Sequence, residues 1–488
     1  MSSDETLPLE PGVVRKPVGA DEIEIKYVDI DAPASWKARL AMVGPGIMFA
    51  AAALGSGETI INPHNAAVYG PLVLWVPFFV ILLTKMWVTE RVGRFSFATG
   101  KTFAEGLYDL GWIGKAVIVV MLLPLIVIQF FTGQGWPMGV GASVMGMFYP
   151  VGQIPVEGMR IVSTLAILSI WYMLVIREYA LVEKVVLAAV LLVLLPAVLI
   201  ADIALRPDLG TIVALFNPAP LFTYFSANPA DMALIANSLA WCGSGMVGMA
   251  AYSYWALEKG YHRGQAKGVS EKTRVLVTDR AFTGWMRCFQ LDVFGGNAIT
   301  FIVAAAIMLN SVLVLHPYNL VPDGTDVMIV SAQQLVIPLG EWAKYLWLIG
   351  TAATLYVTPL AYYDGAARLS GDGARLLFPA IARRWTSEQV RKTLVTFFCI
   401  GAILMSWGLS PLGPYPLKIV SSYSYIDGLP YQVLLSLFSV ILIYKFVPKA
   451  KRGHWLPTVG ALFTFVMYTW FTWVFNAYGP GFMSFITP

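Results

Sequence analysis

Eleven long apolar segments, separated by short polar stretches, dominate the chain from residue 38 onwards. A membrane-spanning helix needs about 20 consecutive apolar residues, and most of these segments reach that length. The pattern therefore predicts an all-α polytopic membrane protein with eleven transmembrane spans. In chain order, the predicted spans cover residues 38–69, 71–92, 112–136, 158–176, 180–203, 231–255, 284–315, 341–365, 392–409, 418–445 and 455–478.

The first of these spans is interrupted near its middle. Eight mostly apolar residues follow Gly46, and the sequence then reads Gly55-Ser56-Gly57-Glu58 before apolar residues resume. Non-helical backbone at membrane depth is tolerated only against protein or a water-filled cavity, and an ionisable residue there is a functional hypothesis by default. We therefore predict a broken helix with a binding site at the break. The alternative for Glu58 is a structural cap, because the N-terminal dipole of the outer half-helix favours an acid.

A second interruption lies in the sixth span, where Gly243-Ser244-Gly245 follows Cys242. The two interrupted spans are five spans apart, and breaks at corresponding places in the two halves of a chain are typical of inverted-repeat secondary transporters. The pattern therefore predicts two repeats of five spans each, followed by an eleventh span. The alternative is that the small residues in the sixth span only form a helix-packing face.

The same spans predict the domain organisation. The polar and acidic N-terminal stretch is expected to be a mobile cytoplasmic arm, to which we assign no activity. The predicted parts are this arm (1–37), a ten-helix transport core (38–445) with its two repeats (38–203 and 231–445), and the eleventh span with a short external C-terminus (446–488).

Composition and charge placement support a membrane location. The chain is 57% hydrophobic and 13% charged, whereas soluble domains carry roughly 25% charged residues. With a cytoplasmic N-terminus, 29 of the 33 Lys and Arg residues fall on the cytoplasmic side, as the positive-inside rule requires. That count assigns five of them, from Lys85 to Lys115, to the region between spans 2 and 3. We therefore predict a multi-pass protein of the cell (inner) membrane, with its C-terminus outside and no nucleic-acid partner.

The sequence shows no pattern typical of an enzyme. It contains neither the HExxH helix of metalloproteases nor the GxSxG turn of serine hydrolases. The three cysteines lie far apart and form neither a CxxC pair nor a disulfide framework. We therefore expect neither enzymatic activity nor a cofactor.

The stretch from Gly44 to Val76 resembles the first two spans of the Nramp divalent-metal transporter family. Both read Gly-Pro-Gly, eight residues, a four-residue break, eleven residues, Gly, and then Leu-Trp-Val. The resemblance covers most of residues 38–445, with further matches at 90–105, Asp292 and Leu429-Pro430. It implies a LeuT-like fold of the APC superfamily and transport of an ion of the Mn/Fe/Mg class, with protons as possible symported partners.

The departures from the Nramp pattern fall where that family holds its metal. The family's first break is Asp-Pro-Gly-Asn, in which the Asp and Asn bind the metal; here Gly55 stands for the Asp and Glu58 for the Asn. The family's sixth span carries Met-Pro-His, whereas this chain has no histidine in the span and places Met249 near that point. Two carboxylates of the third span and a glutamine of the tenth fall at Gln129, Thr132 and Ser422.

Transport of a cation is the first interpretation of these features. By resemblance the cation is a divalent metal, with Glu58 as the replacement carboxylate ligand and freed backbone carbonyls as further oxygen ligands. If protons are coupled, Glu58 is the expected carrier, since a carboxylate removed from water favours its protonated form. The predicted substrate-binding residues are Gly55, Ser56, Gly57, Glu58, Cys242, Gly243, Ser244, Gly245, Met246, Met249 and Ser422.

Transport of a small organic solute is the alternative. Backbone N–H groups at a Gly-Ser-Gly break can bind a carboxylate of an amino acid, and Glu58 can then meet its amine. Five tyrosines of spans 8 and 10 are candidates to line a larger cavity: Tyr356, Tyr362, Tyr363, Tyr423 and Tyr425. A third class, a receptor or scaffold that kept the fold without transport, is disfavoured by the breaks and the buried acid.

Overall fold

The computed structural model describes residues 14–15, 23–40, 44, 46, 49–50, 53–176, 194–259 and 273–479, and it is mainly helical. The first eight helices are α1 (Trp36–Leu40), α2 (Gly57–Val73), α3 (Phe78–Thr99), α4 (Phe103–Asp109), α5 (Trp112–Gly146), α6 (Val156–Val175), α7 (Leu195–Leu205) and α8 (Leu209–Ala214). Short helices α9 (Ala219–Phe222) and α10 (Tyr224–Ala227) then lead to α11 (Pro229–Leu234), α12 (Ala236–Trp241) and α13 (Met246–Lys259).

The remaining helices complete the bundle. They are α14 (Asp279–Leu315), α15 (Val327–Ser331), α16 (Gln333–Leu339), α17 (Ala343–Leu377), α18 (Pro379–Arg384), α19 (Ser387–Leu409), α20 (Pro416–Phe446) and α21 (Leu456–Tyr478), with short 3₁₀ turns at Gly324–Asp326 and Lys449–Lys451. The α3 helix packs against α13, α20 and α21, and α17 packs against α5, α13 and α19. The α13 helix thus contacts both groups, and the short helix α12 packs against α2 and α20.

Within the described residues, six helices are long and apolar enough to cross a membrane: α5, α6, α14, α19, α20 and α21. The pair α2 and α3 counts as a seventh if it forms one bent span, with an angle of 88° between its parts. The predicted total of eleven stays a prediction, and the predicted fifth span, 180–203, lies partly outside the described residues.

The predicted second span is misplaced. The sequence pattern places it at 71–92, but α3 runs over Phe78–Thr99. The reason is local: Gly70–Val73 forms a 3₁₀ turn in which Gly70 has a φ of +57°, and the chain changes direction there. Pro71, which lies inside an apolar run, thus belongs to the turn and does not start the next helix.

Charged residues that the topology count places between spans 2 and 3 lie inside α3. Both Arg91 and Arg94 are buried and form ion pairs with the equally buried Glu90, at 2.5 and 2.6 Å. Arg91 also donates to the carbonyl oxygen of Arg452, and Arg94 to that of Lys451, near the start of α21. The assignment of these residues to a loop was wrong, because mutual pairing lets charged groups remain within a buried helix.

Part of the predicted N-terminal arm is tied to the helical core. Strand β2 (Ile23–Val28) pairs antiparallel with β1 (Val14–Arg15) and parallel with β3 (Thr273–Val277), which precedes α14. Hydrogen bonds from the Thr278 hydroxyl and the Arg280 guanidinium lower the pKa of the Asp29 carboxyl. Strand β2 and Asp29 are therefore bonded to the segment that precedes and begins α14. The mobility of the N-terminal arm stays a prediction.

The first half of the first span is described at only a few positions. The backbone N–H groups of Gly44 and Gly46 donate to the two carboxylate oxygens of Asp292, each at 2.7 Å. Asp292 is fully buried well inside α14 and also accepts from the Tyr252 hydroxyl. A carboxylate placed on the unpaired N–H groups of a helix start is favourable, and it anchors the first span to α14.

Candidate functional site

The two predicted breaks exist and touch one another. The sixth span is interrupted between α12 and α13, where Cys242 has an extended ψ of 121° and Gly243 a φ of +71°. The first span is interrupted before α2, and a Cβ atom at Gly57 would collide with the carbonyl oxygen of Trp241. The absence of a side chain at Gly57 is therefore what lets the two breaks meet.

Glu58 connects the two breaks directly. Its side chain is completely buried in the first turn of α2, and its Oε1 accepts the backbone N–H of Gly243 at 2.8 Å. Its second oxygen, Oε2, has no hydrogen-bond partner among the described residues. Glu58, a predicted site residue, thus connects the two predicted breaks, whereas its role in binding stays a prediction.

A lysine that the sequence reasoning placed in a loop lies at this centre. Lys85 is in the first half of α3, with its side chain 1% exposed. Its Nζ donates to the carbonyl oxygens of Ala240 at 2.5 Å and Cys242 at 2.9 Å. Both carbonyls lie at the end of α12, where the helix leaves them without intrahelical partners. The ammonium therefore satisfies the carbonyls that the break exposes.

A second carboxylate completes the charged centre, and sequence reasoning missed it. Asp427 is fully buried in α20, and it accepts a hydrogen bond from the Tyr362 hydroxyl. The carboxylate faces the amide N–H groups of Met246 and Val247, at the start of α13. A Cβ atom at Gly245 would collide with this carboxylate and with the tyrosine hydroxyl. The positive end of α13 is thus matched with a carboxylate of the chain itself.

Four aromatic side chains pack around these groups, and we call them the aromatic cluster: Trp136, Trp241, Tyr362 and Tyr423. Their ring centroids lie 5.0–6.0 Å apart in every pairing, and all four side chains are buried. Trp136 donates to the Ser56 hydroxyl at 3.1 Å, which connects the cluster to the first break. The indole N–H of Trp241 has no partner among the described residues.

Four other predicted site residues are Ser244, Met246, Met249 and Ser422. Ser244 is buried beside the second break, and its hydroxyl has no hydrogen-bond partner among the described residues. Met246 and Met249 are buried in α13, and the sulfur of Met249 accepts a hydrogen bond from Gln432 at 3.8 Å. The Ser422 hydroxyl donates within its own helix, to the carbonyl of Lys418.

Of the five tyrosines proposed as cavity-lining residues, three lie in or next to the aromatic cluster and two lie elsewhere. Tyr362 and Tyr423 belong to the aromatic cluster, and Tyr363 lies next to it, 6.3 Å from the ring of Trp136. In contrast, Tyr356 bonds Ser169 at a partly exposed position, and Tyr425 stacks on Phe475. Gln129, one of the positions where the Nramp resemblance places a carboxylate, donates to the Tyr423 hydroxyl at 2.6 Å.

Sequence signals for the missed residues were present. Lys85 is a single charge within the apolar run FFVILLTKMWV, and counting it as a topology signal concealed its position at membrane depth. Asp427 lies inside the predicted tenth span, where an ionisable residue is a functional candidate by default. The two tryptophans carried no such signal, because a tryptophan in an apolar span is ordinary.

The described residues contain no group of three or more His, Cys, Asp or Glu side chains that could hold a metal ion. Around the breaks, the ionisable side chains are the carboxyls of Glu58 and Asp427, the thiol of Cys242 and the amine of Lys85. The centre thus combines two carboxylates with one tethered cation and a wall of aromatic rings.

The sequence matches no family model. The chain is 23% identical over 470 residues to an uncharacterised protein of Pasteurella multocida (strain Pm70), which covers 92% of this chain and 95% of that protein.

Two solved structures are similar to the chain over nearly its full length. One is the Eremococcus coleocola manganese transporter in complex with an aromatic bis-isothiourea substituted compound, at 14% identity and a TM-score of 0.57, covering 94% of this chain and 91% of that one. The other is MhsT in complex with L-phenylalanine, also at 14% identity and a TM-score of 0.57, covering 91% and 100%. These likenesses show the fold: the protein is a polytopic helical membrane protein with the LeuT fold. Being equally strong, they do not decide between a metal and an organic cargo.

Proposed function

We propose that the protein is a secondary transporter, which moves a small solute across the membrane by alternating access around the two helix breaks. The proposal is supported by the LeuT fold, by the contact between the breaks at Gly57, and by the buried charges of Glu58, Lys85 and Asp427. Ionisable groups at membrane depth are rare and costly, and they typically mark the path of a substrate or ion.

The cargo that the geometry supports best is a small organic solute with a protonated amine. The observation that carries this proposal is the aromatic cluster beside Asp427: Tyr362 is a member of the cluster and also donates to that carboxylate. Faces of tryptophan and tyrosine attract cations, with energies of about 0.5–2 kcal/mol that increase when water is excluded. A carboxylate next to several such faces is suited to an alkylammonium group.

The glycines of both breaks allow close packing around this centre. At Gly55 a side chain would collide with Thr358, and at Gly245 it would collide with Asp427, so both positions bring bare backbone close to neighbouring polar groups. The rings of the aromatic cluster are in contact with each other. The cargo must therefore separate them on entry, which couples its binding to a rearrangement of the helices that carry the rings.

Ligand-dependent stabilisation of the purified protein tests this proposal across a whole panel of candidate cargoes. A ligand that binds only the folded protein stabilises it by about 2.7 kcal/mol at 100 times its Kd. We expect at least one compound from a panel of amino acids and simple amines to raise the unfolding temperature. Asp427→Asn should abolish this response.

The matched control is Asp202→Asn. Asp202 is another buried aspartate, but it accepts a hydrogen bond from Asn310 between α7 and α14, away from the breaks. This variant should keep the response to the amine. If no amine or amino acid stabilises the wild-type protein, or if Asp427→Asn responds like the control, the organic-amine proposal is wrong.

A divalent metal remains the second candidate cargo, because Oε2 of Glu58 is a buried carboxylate oxygen without a partner among the described residues. The carbonyl oxygens beside it are bound by the Lys85 ammonium, whose charge opposes a divalent cation. This makes the metal the weaker of the two. Uptake of Mn²⁺ into proteoliposomes, lost in Glu58→Gln, would establish the metal. Absence of Mn²⁺ uptake by active protein would exclude a divalent metal as the cargo.

A further inference from the structure

Lys85 and Glu58 form hydrogen bonds with backbone groups at the break of the sixth span, Lys85 with carbonyl oxygens and Glu58 with an N–H group. The carboxylate of Glu58 accepts the N–H of Gly243, while the ammonium of Lys85 donates to the carbonyls of Ala240 and Cys242. These three backbone groups lie within the four-residue stretch 240–243. The end of α12 therefore depends on side chains of α2 and α3 for its hydrogen bonds.

A helix C-terminus such as that of α12 is a natural place for a cation. Its last carbonyls have no intrahelical partners, and they carry the negative end of the helix dipole. Glu58 and Asp427 add negative charge within electrostatic reach of the same point. In transporters with broken helices, freed carbonyls and half-helix C-termini typically coordinate Na⁺ or H⁺. Here a primary ammonium on the chain takes that place.

We propose that Lys85 is a tethered cation, which replaces an inorganic coupling ion at the break of the sixth span. Two of the three donors of its ammonium bind the carbonyls of Ala240 and Cys242, and its charge faces Glu58. Since the ammonium is covalently attached, the break assembles without Na⁺ or another bound metal ion. Removing the side chain converts the same place into an open site for a small monovalent cation.

The native thiol of Cys242 reports on this break directly. Cys242 is fully buried, and it is one of the residues whose carbonyl binds Lys85. The other two cysteines, Cys288 and Cys399, are buried in α14 and α19, and both are replaced by serine in the protein used for the test. The rate at which a small thiol reagent labels Cys242 then measures opening of the break, independently of any cargo.

The experiment compares three proteins in this single-cysteine background: the parent, Lys85→Ala and Lys85→Met. In the parent we expect slow labelling, at the same rate in sodium, potassium and choline chloride. In Lys85→Ala we expect labelling about tenfold faster or more, because the variant loses two hydrogen bonds from a charged donor and one alone corresponds to a factor of about ten. Adding methylammonium or Na⁺ at constant ionic strength should slow it again. Lys85→Met fills the space with an apolar chain, so it should be fast and unresponsive to either cation.

Rescue by an added cation separates a tethered ion from a merely structural lysine. Lys85→Ala that labels as slowly as the parent, or that labels fast and ignores both cations, would overturn the proposal. If Lys85→Ala does not fold, the response of the parent protein to Na⁺ still tests the proposal. An unfolding temperature or labelling rate that changes with Na⁺ at constant ionic strength would show that the ion site is not filled by Lys85. These readouts do not involve the cargo, so their failure would leave the proposed function standing.

Discussion

The two helix breaks of this protein satisfy their backbone groups in opposite ways. At the first break, Thr59 returns both its N–H and its hydroxyl to the carbonyl of Gly55, at 3.1 and 2.7 Å. At the second, the free groups are bound by side chains from other helices, which belong to Glu58, Lys85 and Asp427. The bonds of Thr59 at the first break are thus local, whereas those to residues 240–247 at the second come from side chains of other helices.

This difference explains why the second break is suited to switching. Its hydrogen bonds cross between α12 or α13 and three other helices, so relative movement of those helices breaks or makes them together. At the first break, the bonds from Thr59 to Gly55 lie within one segment of the chain. An alternating-access cycle needs an element with two arrangements, and bonds between rigid bodies supply one.

The largest expected effect comes from removing the cation of the second break. Lys85→Met leaves the buried carbonyls of Ala240 and Cys242 without their charged donor. A hydrogen bond from a charged group contributes about 1.5–3 kcal/mol, so the loss of two costs about 3 kcal/mol or more. We expect a decrease of that size in the free energy of unfolding, measured in mixed detergent micelles.

The control for this prediction is Lys101→Met. Lys101 forms an ion pair with Asp109 at 2.5 Å, but both side chains are partly exposed. Such pairs contribute about 0–1 kcal/mol. Equal destabilisation by the two variants would remove the distinction between a site charge and an ordinary ion pair.

A smaller effect is expected where the breaks touch. A Cβ atom at Gly57 meets the carbonyl of Trp241, which cannot yield as a flexible side chain would. Overpacking of this kind costs about 1–3 kcal/mol. Gly57→Ala should therefore lower the unfolding temperature and the ligand response together. Gly295→Ala in α14, where the added atom meets nothing within 4 Å, should lower neither.

The smallest effect is expected at the first break. Thr59→Val removes the hydroxyl that returns to Gly55 and should cost about 0.5–1.5 kcal/mol, the usual net contribution of one hydrogen bond. Thr300→Val removes the same kind of bond, to Gly296 at 2.9 Å, from a regular helix. The first substitution should be the more costly of the two in unfolding experiments. A larger cost at Thr300 would mean that the first break does not depend on its local bonds.

The same contrast shows how far a sequence can predict this site. The first break was predictable because glycines, serine and a carboxylate are contiguous, and Glu58 was expected at the centre. Both breaks and most helices were anticipated from apolar length and small residues. Lys85 and Asp427 were missed because their roles depend on three-dimensional packing, which brings α3 and α20 to residues 240–247.

Errors in the helix predictions have the same origin. The start of α3 was placed seven residues too early, since hydropathy does not distinguish a turn containing Gly70 and Pro71 from a helix. The pairing of β2 with β3 joins residues nearly 250 positions apart, and no local pattern specifies it. Long-range partners, not local propensity, decide these features.

Uptake into proteoliposomes is the most direct test of the central claim, that the charged break and the aromatic cluster bind an amine-bearing solute. We predict saturable uptake of at least one radiolabelled amine or amino acid, in the absence of Na⁺, that is retained in Asp202→Asn and lost in Asp427→Asn. Uptake of Mn²⁺ that is lost in Glu58→Gln, with no amine transported by the same active preparation, would contradict it.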